Sequence, residues 1–339
     1  MTIRSSRPAA GPVAADRTVA GVLAEAADAR ATIVLSGHVQ PDADALGSTL
    51  SLAEGLRRRG ARVLTTFPDP FTLPASLGWL PGAEGLVPSS SVPSSPDVFV
   101  SLDAASPGRL GELAVLLDRA GTSVVVDHHA SNPGFGDVRL IDGLAPATVT
   151  LVAGLLDELG VSIDPQLATC LYAGLAADTG SFRFGNTRPE THELAARLLA
   201  TGIPVGEISR RLFDSRPFGA VRLFGEAMGR ARLEPDGVGF VWTYATLDDL
   251  HRFQQRPAVL EALIDAVRCV EEADVSCVVK QVAEREWTVS LRSKGAVDVS
   301  AIAVALGGGG HKFAAGFTGR GSVDDVVAAI RGRLPRPAR

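Results

Sequence analysis

Cysteine is scarce in this chain: three residues among 339, Cys170, Cys269 and Cys277. Three is an odd number and no two stand at CxxC spacing. Neither a disulfide frame nor a thiolate zinc site is supported, and buried thiols are the expectation. Lysine is equally rare, present only as Lys280, Lys294 and Lys312. The remaining positive charge is arginine, the better bidentate partner for phosphate. Net charge is −5 and no long basic stripe is visible. A protein that tracks a long nucleic acid needs such a stripe, because phosphate neutralisation supplies most of its affinity. A short anionic ligand met in a local pocket fits this balance better. No apolar run reaches membrane-spanning length, so no membrane partner is expected. Met1 to Asp16 carries Arg4 and Arg7 but no apolar stretch of signal type. It reads as a flexible tail, which makes the cytoplasm the expected location.

What is present is ordinary for a globular protein: 46% hydrophobic and 21% charged residues. The length fits two domains, each able to bury a core. In the first half, apolar runs at 32–36, 62–66, 98–102 and 123–127 read as strands. Helical spacing covers 17–30, Ala45 to about Arg59, about 109–120, Ala147 to Leu159, 165–176 and 189–200. Residues 67–96 read as loop and Asn132 to Gly143 as turn-rich. The pattern implies an α/β domain with a mainly parallel sheet flanked by helices. From residue 218 the texture changes. Asp236-Gly237 joins strands 230–234 and 238–244, and Glu284-Arg285 joins 275–282 and 287–292. Helices are expected at 218–229, 257–268, Asp298–Leu306 and 323–333, with a strand near Phe317. This is a smaller α+β domain with a mixed sheet. The expected boundaries are a tail at 1–16, a first domain at 17–200, a connection at 201–217 and a second domain at 218–335.

The chemistry collects where strands end. Val124-Val125-Val126 is a buried-strand run that stops at Asp127-His128-His129. Residues 33–36 lead into His38, Asp42 and Asp44, residues 98–102 lead into Asp103, and the apolar stretch from Cys170 ends at Asp178. In an open α/β sheet, ligands bind outside the carboxyl ends of the strands. Taken singly, His38 reads as a loop histidine, Asp44 as a helix cap, and Asp103 and Asp178 as turn residues. Together they read as a metal constellation. Asp42 and Asp44, two residues apart in an extended loop, would point the same way and serve neighbouring ions. Asp103 could bridge the two ions, with His128 and Asp178 completing the second. A carboxylate-rich set with few imidazoles and no thiolate suits two divalent ions of the Mn²⁺ or Mg²⁺ kind better than structural zinc. His192 and His251 read as structural or solvated.

A second cluster lies far along the chain. Gly307-Gly308-Gly309-Gly310-His311 allows close backbone approach to an anion, and a following helix terminus would offer free N–H groups. The duller reading is a flexible turn before a strand. Arg292, just upstream, could fork onto a phosphate.

His38-Val39-Gln40-Pro41-Asp42-Ala43-Asp44, Asp103, Asp127-His128-His129 and Asp178 resemble the four motifs of the DHH phosphoesterase family. Val289-Ser290-Leu291-Arg292-Ser293 and Gly307 to Gly316 resemble its C-terminal associated domain. The resemblance spans roughly residues 30–335. It implies that His38, Asp42 and Asp103 hold one Mn²⁺, and that Asp44, Asp103, His128 and Asp178 hold the other. It implies that His129 faces the scissile phosphate with Asp127 in support. It also implies that Arg292, Gly308, Gly309, Gly310 and His311 bind the substrate, with the active site in the cleft between domains. The implied substrates are short oligoribonucleotides (nanoRNA), 3'-phosphoadenosine-5'-phosphate (pAp), and cyclic or linear dinucleotides such as c-di-AMP and pApA. A homodimer is left open. The rival from another class is a non-catalytic nucleotide-binding module, and the intact set of ligand residues argues against it.

Overall fold

A computed structural model describes residues 18–335; the expected tail lies outside the described residues. The chain divides into two compact units, one made of residues up to His128 plus Gly134–Val205, the other of His129–Pro133 plus the chain from Gly206.

The first unit runs α1 (Val19–Asp28), β1 (Thr32–Ser36), α2 (Ala43–Arg58), β2 (Arg62–Thr66), β3 (Val98–Leu102), α3 (Leu116–Arg119), β4 (Thr122–Asp127), β5 (Val138–Ile141), α4 (Thr148–Glu158), α5 (Pro165–Asp178) and α6 (Pro189–Leu199). Its sheet has the order β2-β1-β3-β4-β5 and every pairing is parallel. Ile33, Val34, Leu35, Phe99, Val100, Val124, Val125 and Val126 are fully buried. That burial on both faces is why these strands read as unbroken apolar runs rather than alternating ones. Because β1 is followed by β2 on one side and by β3 on the other, the strand order reverses between β1 and β3. Such a switch point opens a crevice at the carboxyl ends of the strands. Helices α2 and α5 approach closely: a Cβ on Gly47 would lie 2.5 Å from the Cys170 carbonyl oxygen, and one on Gly174 would lie 3.0 Å from the Asp44 Cα. Gly47 therefore serves the contact between helices.

Local departures from the sequence reading have simple causes. β5 lies inside the stretch expected to be turns; it is a four-residue edge strand with Arg139 exposed and the other three residues half-buried, too short to show a period. The helix expected at 109–120 is a 3₁₀ run, Pro107–Val115, kinked where Gly111 takes φ 50°, followed by the single turn of α3. The stretch 201–217 contains α7 (Val205–Phe213).

The second unit continues α8 (Phe218–Gly229), β6 (Arg232–Glu234), β7 (Phe240–Ala245), α9 (Leu247–Arg252), α10 (Leu263–Val267), β8 (Val275–Ala283), β9 (Glu286–Ser293), α11 (Val299–Ala305), β10 (Gly309–His311), β11 (Ala314–Arg320) and α12 (Val323–Arg331). The helix expected over 257–268 begins as 3₁₀ turns from Pro257 before α10. The six strands run β10-β11-β9-β8-β7-β6, antiparallel except for the β7–β8 pair. One face packs Trp242, Cys277, Val289, Leu291 and Phe317 against α11 and α12 residues such as Ile302 and Ile330. The other packs Val241 and Val278 against Leu223, Leu263 and Ile264. β9 shows the alternation directly: Trp287, Val289, Leu291 and Ser293 are buried, while Thr288, Ser290 and Arg292 are half-buried on the opposite face. Cys170 and Cys277 are buried free thiols, as expected, but Cys269 is exposed. No helix among the described residues is long and apolar enough to cross a membrane.

Candidate metal centre

The presumed ligands of the first unit converge at the switch point, each delivered by a different element. His38 follows β1. Its Nε2 lies 3.5 Å from Asp42 Oδ2 and 3.7 Å from Asp103 Oδ2. Its Nδ1 lies 2.9 Å from the Val39 carbonyl oxygen and 2.9 Å from Arg109 Nη2. The two contacts ask for opposite tautomers. The carbonyl requires Nδ1 to carry the proton, which leaves the Nε2 lone pair towards the carboxylates, as an ion ligand needs.

Asp42, not Asp44, is the N-cap of α2: its Oδ1 accepts from the Asp44 and Ala45 amides, both at 3.0 Å. The helix therefore starts two residues earlier than the sequence suggested. The extended-loop argument for a shared direction of Asp42 and Asp44 does not apply, because both belong to a helix start. Asp44, in the first turn, is fully buried. Its Oδ2 accepts from the Thr148 amide at 2.6 Å and its Oδ1 from the Val149 amide at 2.9 Å. Residue Ala147, which should cap α4, has no side chain able to do so. Asp44 caps α4 from across the unit instead, where the positive end of the helix dipole favours a carboxylate.

Asp103 sits one residue past β3 with φ 57° and 2% exposure. Its Oδ1 accepts from the Thr148 hydroxyl at 2.8 Å and faces His128 Nε2 at 3.5 Å, while Oδ2 faces His38. His128 follows β4. Its Nδ1 is 3.2 Å from the Ala145 carbonyl oxygen, which can only accept, so Nδ1 carries a proton and Nε2 is the atom left facing Asp178 (3.2 Å), Asp103 and Asp44 (3.8 Å). Asp178 is the last residue of α5, placed by a helix end rather than a strand end. Asn186 holds that end in place, donating to the carbonyls of Asp178 (3.1 Å) and Pro146 (3.0 Å).

Ligand atoms of His38, Asp42 and Asp103 all lie within 4.8 Å of one another, and so do those of Asp44, Asp103 and His128. Asp103 belongs to both groups. Burial, followed by the charge of Asp178, pushes the Asp44 carboxyl up to about 8. Burial and then the Asp44 charge hold Asp103 well above the usual carboxylate range. Burial opposes charge on His128, yet its hydrogen bond to Asp178 and the surrounding carboxylates raise it well above its ordinary value. Carboxylates crowded into a largely buried site, where they outnumber the positive groups, are unstable as anions. A divalent cation supplies that charge, so the donor set fits the Mn²⁺ or Mg²⁺ class.

Asp127 is buried at the end of β4, where its carbonyl accepts from the Asp142 amide at 3.1 Å. Segment 129–133 packs with the second unit, in which the His129 and His311 rings stack with centroids 4.3 Å apart. In that unit Arg292 on β9 lies opposite Ala314 on β11, and Ala314 lies opposite His311 on β10. Directly opposed residues share a face, so arginine, a small methyl and histidine form one row. The glycine run does not open onto a helix N-terminus. It forms edge strand β10, and the glycines have local reasons: a Cβ on Gly308 would lie 2.1 Å from the Gly316 carbonyl oxygen, and one on Gly310 2.6 Å from that of Ala314. Nothing crowds a Cβ at Gly309. His192 stacks on Phe182, 5.2 Å between centroids. Thr148, Arg109 and Asn186 were missed by the sequence reading. Only Thr148 left a signal, a helix start without a capping residue before it.

The DHH family N-terminal domain matches residues 32–175, and the DHHA1 domain matches residues 242–334. The chain belongs to the DHH family. This DHH chain is 34% identical over 90% of its length to the bifunctional oligoribonuclease and PAP phosphatase NrnA of Thermus thermophilus, of which it covers 90%. It is 26% identical over 87% of its length to the cyclic-di-AMP phosphodiesterase GdpP of Bacillus subtilis, covering 46% of that longer protein. In fold it is similar to an exopolyphosphatase-related protein from Bacteroides fragilis, with a TM-score of 0.82, 24% identity, and coverage of 92% of this chain and 93% of the other.

Proposed function

We propose that this DHH chain is a Mn²⁺-dependent phosphoesterase. It hydrolyses short oligoribonucleotides, including dinucleotides such as pApA, to mononucleotides, and pAp to AMP. The observation that carries the reading is Asp103 shared between two groups of ion-binding donors at the switch point. The likeness to the Thermus NrnA over nearly the whole chain supports the substrate class. In this reading His38, Asp42 and Asp103 hold one ion and Asp44, Asp103, His128 and Asp178 the other, with Mg²⁺ the alternative metal. Bound there, the ions supply positive charge that polarises the phosphate and makes water more acidic. The chain's own residues orient the reactants. His129 donates to the scissile phosphate, and Asp127 steadies the turn from which it projects. Arg292, His311 and the backbone of Gly308, Gly309 and Gly310 take a second phosphate or the nucleotide. The net charge of −5 offers no long track for extended strands.

A second reading, cyclic-dinucleotide phosphodiesterase, is favoured by the likeness to GdpP. One experiment tests both: turnover on dinucleotides, pAp, pApA, c-di-AMP and a long RNA, side by side in Mn²⁺ and in chelator. Hydrolysis of dinucleotides and pAp that requires Mn²⁺ is expected. Preference for c-di-AMP selects the second reading, and no Mn²⁺-dependent hydrolysis of any of them overturns both.

A further inference from the structure

Thr148 is fully buried and lies at the first position of α4. Its two donors go to two different presumed ligands: the amide to Asp44 at 2.6 Å and the hydroxyl to Asp103 at 2.8 Å. We infer that Thr148 is a positioning residue that keeps the two oxygens of Asp103 assigned to two different ions. The inference rests on the two-ion reading proposed above.

The Cβ–Cγ torsion of an aspartate is soft and broad. A carboxylate without a fixed hydrogen bond can therefore turn and offer both oxygens to one ion. Asp103 does not have that freedom. The Thr148 hydroxyl fixes Oδ1 on the side of His128 Nε2, 3.5 Å away, and so leaves Oδ2 on the side of His38 Nε2, 3.7 Å away. The same residue's amide donates to Asp44 Oδ2 and that of Val149 to Asp44 Oδ1, so both oxygens of Asp44 are held at the start of α4. The first turn of α4 thus sets the relative placement of a ligand from α2 and a ligand from β3. A hydrogen bond from outside the ligand shell typically changes metal affinity by about 10–100-fold when removed.

The hydroxyl can be removed without touching the amide. Thr148→Val keeps the shape and the contact to Asp44, and deletes only the donor to Asp103. Thr148→Ser restores the donor. Thr148→Ala also lacks it and carries the same expectation should the valine variant not fold. The full chain, stripped with chelator, is titrated with Mn²⁺ by calorimetry, and the electron paramagnetic resonance spectrum is recorded at two equivalents. Two Mn²⁺ ions sharing a carboxylate are magnetically coupled, whereas separated ions give the isolated six-line signal. Wild type and Thr148→Ser are expected to bind two coupled ions. Thr148→Val is expected to bind the second ion about 10–100-fold more weakly and to show the isolated signal. A purely structural role for Thr148 would lower thermal stability and leave the coupling intact. Wild-type affinity together with a coupled spectrum in Thr148→Val overturns the inference. A wild type that binds no Mn²⁺ overturns the two-ion reading itself, a distinct result.

Discussion

Replacing Asp103 with asparagine should stabilise the metal-free protein and destabilise it relative to wild type once Mn²⁺ is added. Asp103 is 2% exposed and faces other acids, with its carboxyl driven well above the usual range by burial and then by Asp44. Asparagine keeps the shape, and its carbonyl can still accept from the Thr148 hydroxyl. An uncompensated buried charge costs several kcal/mol, reduced by relaxation and water entry, so its removal should gain about 1–3 kcal/mol without metal. For a unit of this size that is about 2–12 °C in Tm. Wild type saturated with Mn²⁺ at a thousandfold excess over Kd should gain about 4 kcal/mol. The variant, lacking the shared carboxylate, should gain little of it. Calorimetric melting of both proteins in chelator and in Mn²⁺ reads the crossing directly. A variant that melts below wild type in chelator, or that gains as much from Mn²⁺, would refute the idea that this site is built around missing positive charge.

Three further outcomes are expected. His128→Ala should lose bound Mn²⁺, whereas His129→Ala should retain it and lose much of kcat; equal metal loss by elemental analysis would contradict the division of roles. Arg292→Ala should slow short nucleotides far more than bis(p-nitrophenyl) phosphate, and wild-type turnover should fall steeply with RNA length; equal slowing of both substrate types would contradict the second-unit contact. At low pH the Arg230–Asp249 pair should open. Its hydrogen bonds with Arg230, one of them 2.7 Å long, hold Asp249 down at about 2. A depressed acid stabilises above its ordinary value near 3.8 and loses that contribution as pH falls towards 2, here about 1–2 kcal/mol. The Arg230→Met variant should show less loss of stability between pH 4 and 2 than wild type by urea melts.

The α/β architecture was legible, and the candidate ligands could be picked out, because the apolar runs they follow are made conspicuous by burial. Val124–Val126 before Asp127-His128 is the plainest case. The capping of α2 was misread by two residues, since Pro41-Asp42 and Asp44 both look like helix starts and only the amide geometry separates them. Strands β5 and β10 were invisible. One is a four-residue edge, and the other is glycine, whose low strand preference is overridden by the chain packed against it. Thr148 and Asn186 act through contacts made only after distant segments meet, so no local pattern announces them.

The capping of α4 by Asp44 joins residues more than a hundred positions apart, and the last donor, Asp178, lies later still. During synthesis from the amino end, His38 and Asp42 emerge long before their partners. A ribosome-bound chain that stops short of Asp178 therefore holds an incomplete site: acids gathered at the carboxyl ends of the strands without the donor at the end of α5. In the proposed two-ion reading, the ion assigned to Asp44, His128 and Asp178 can favour the native arrangement only after that point, so α5 must emerge before it does so.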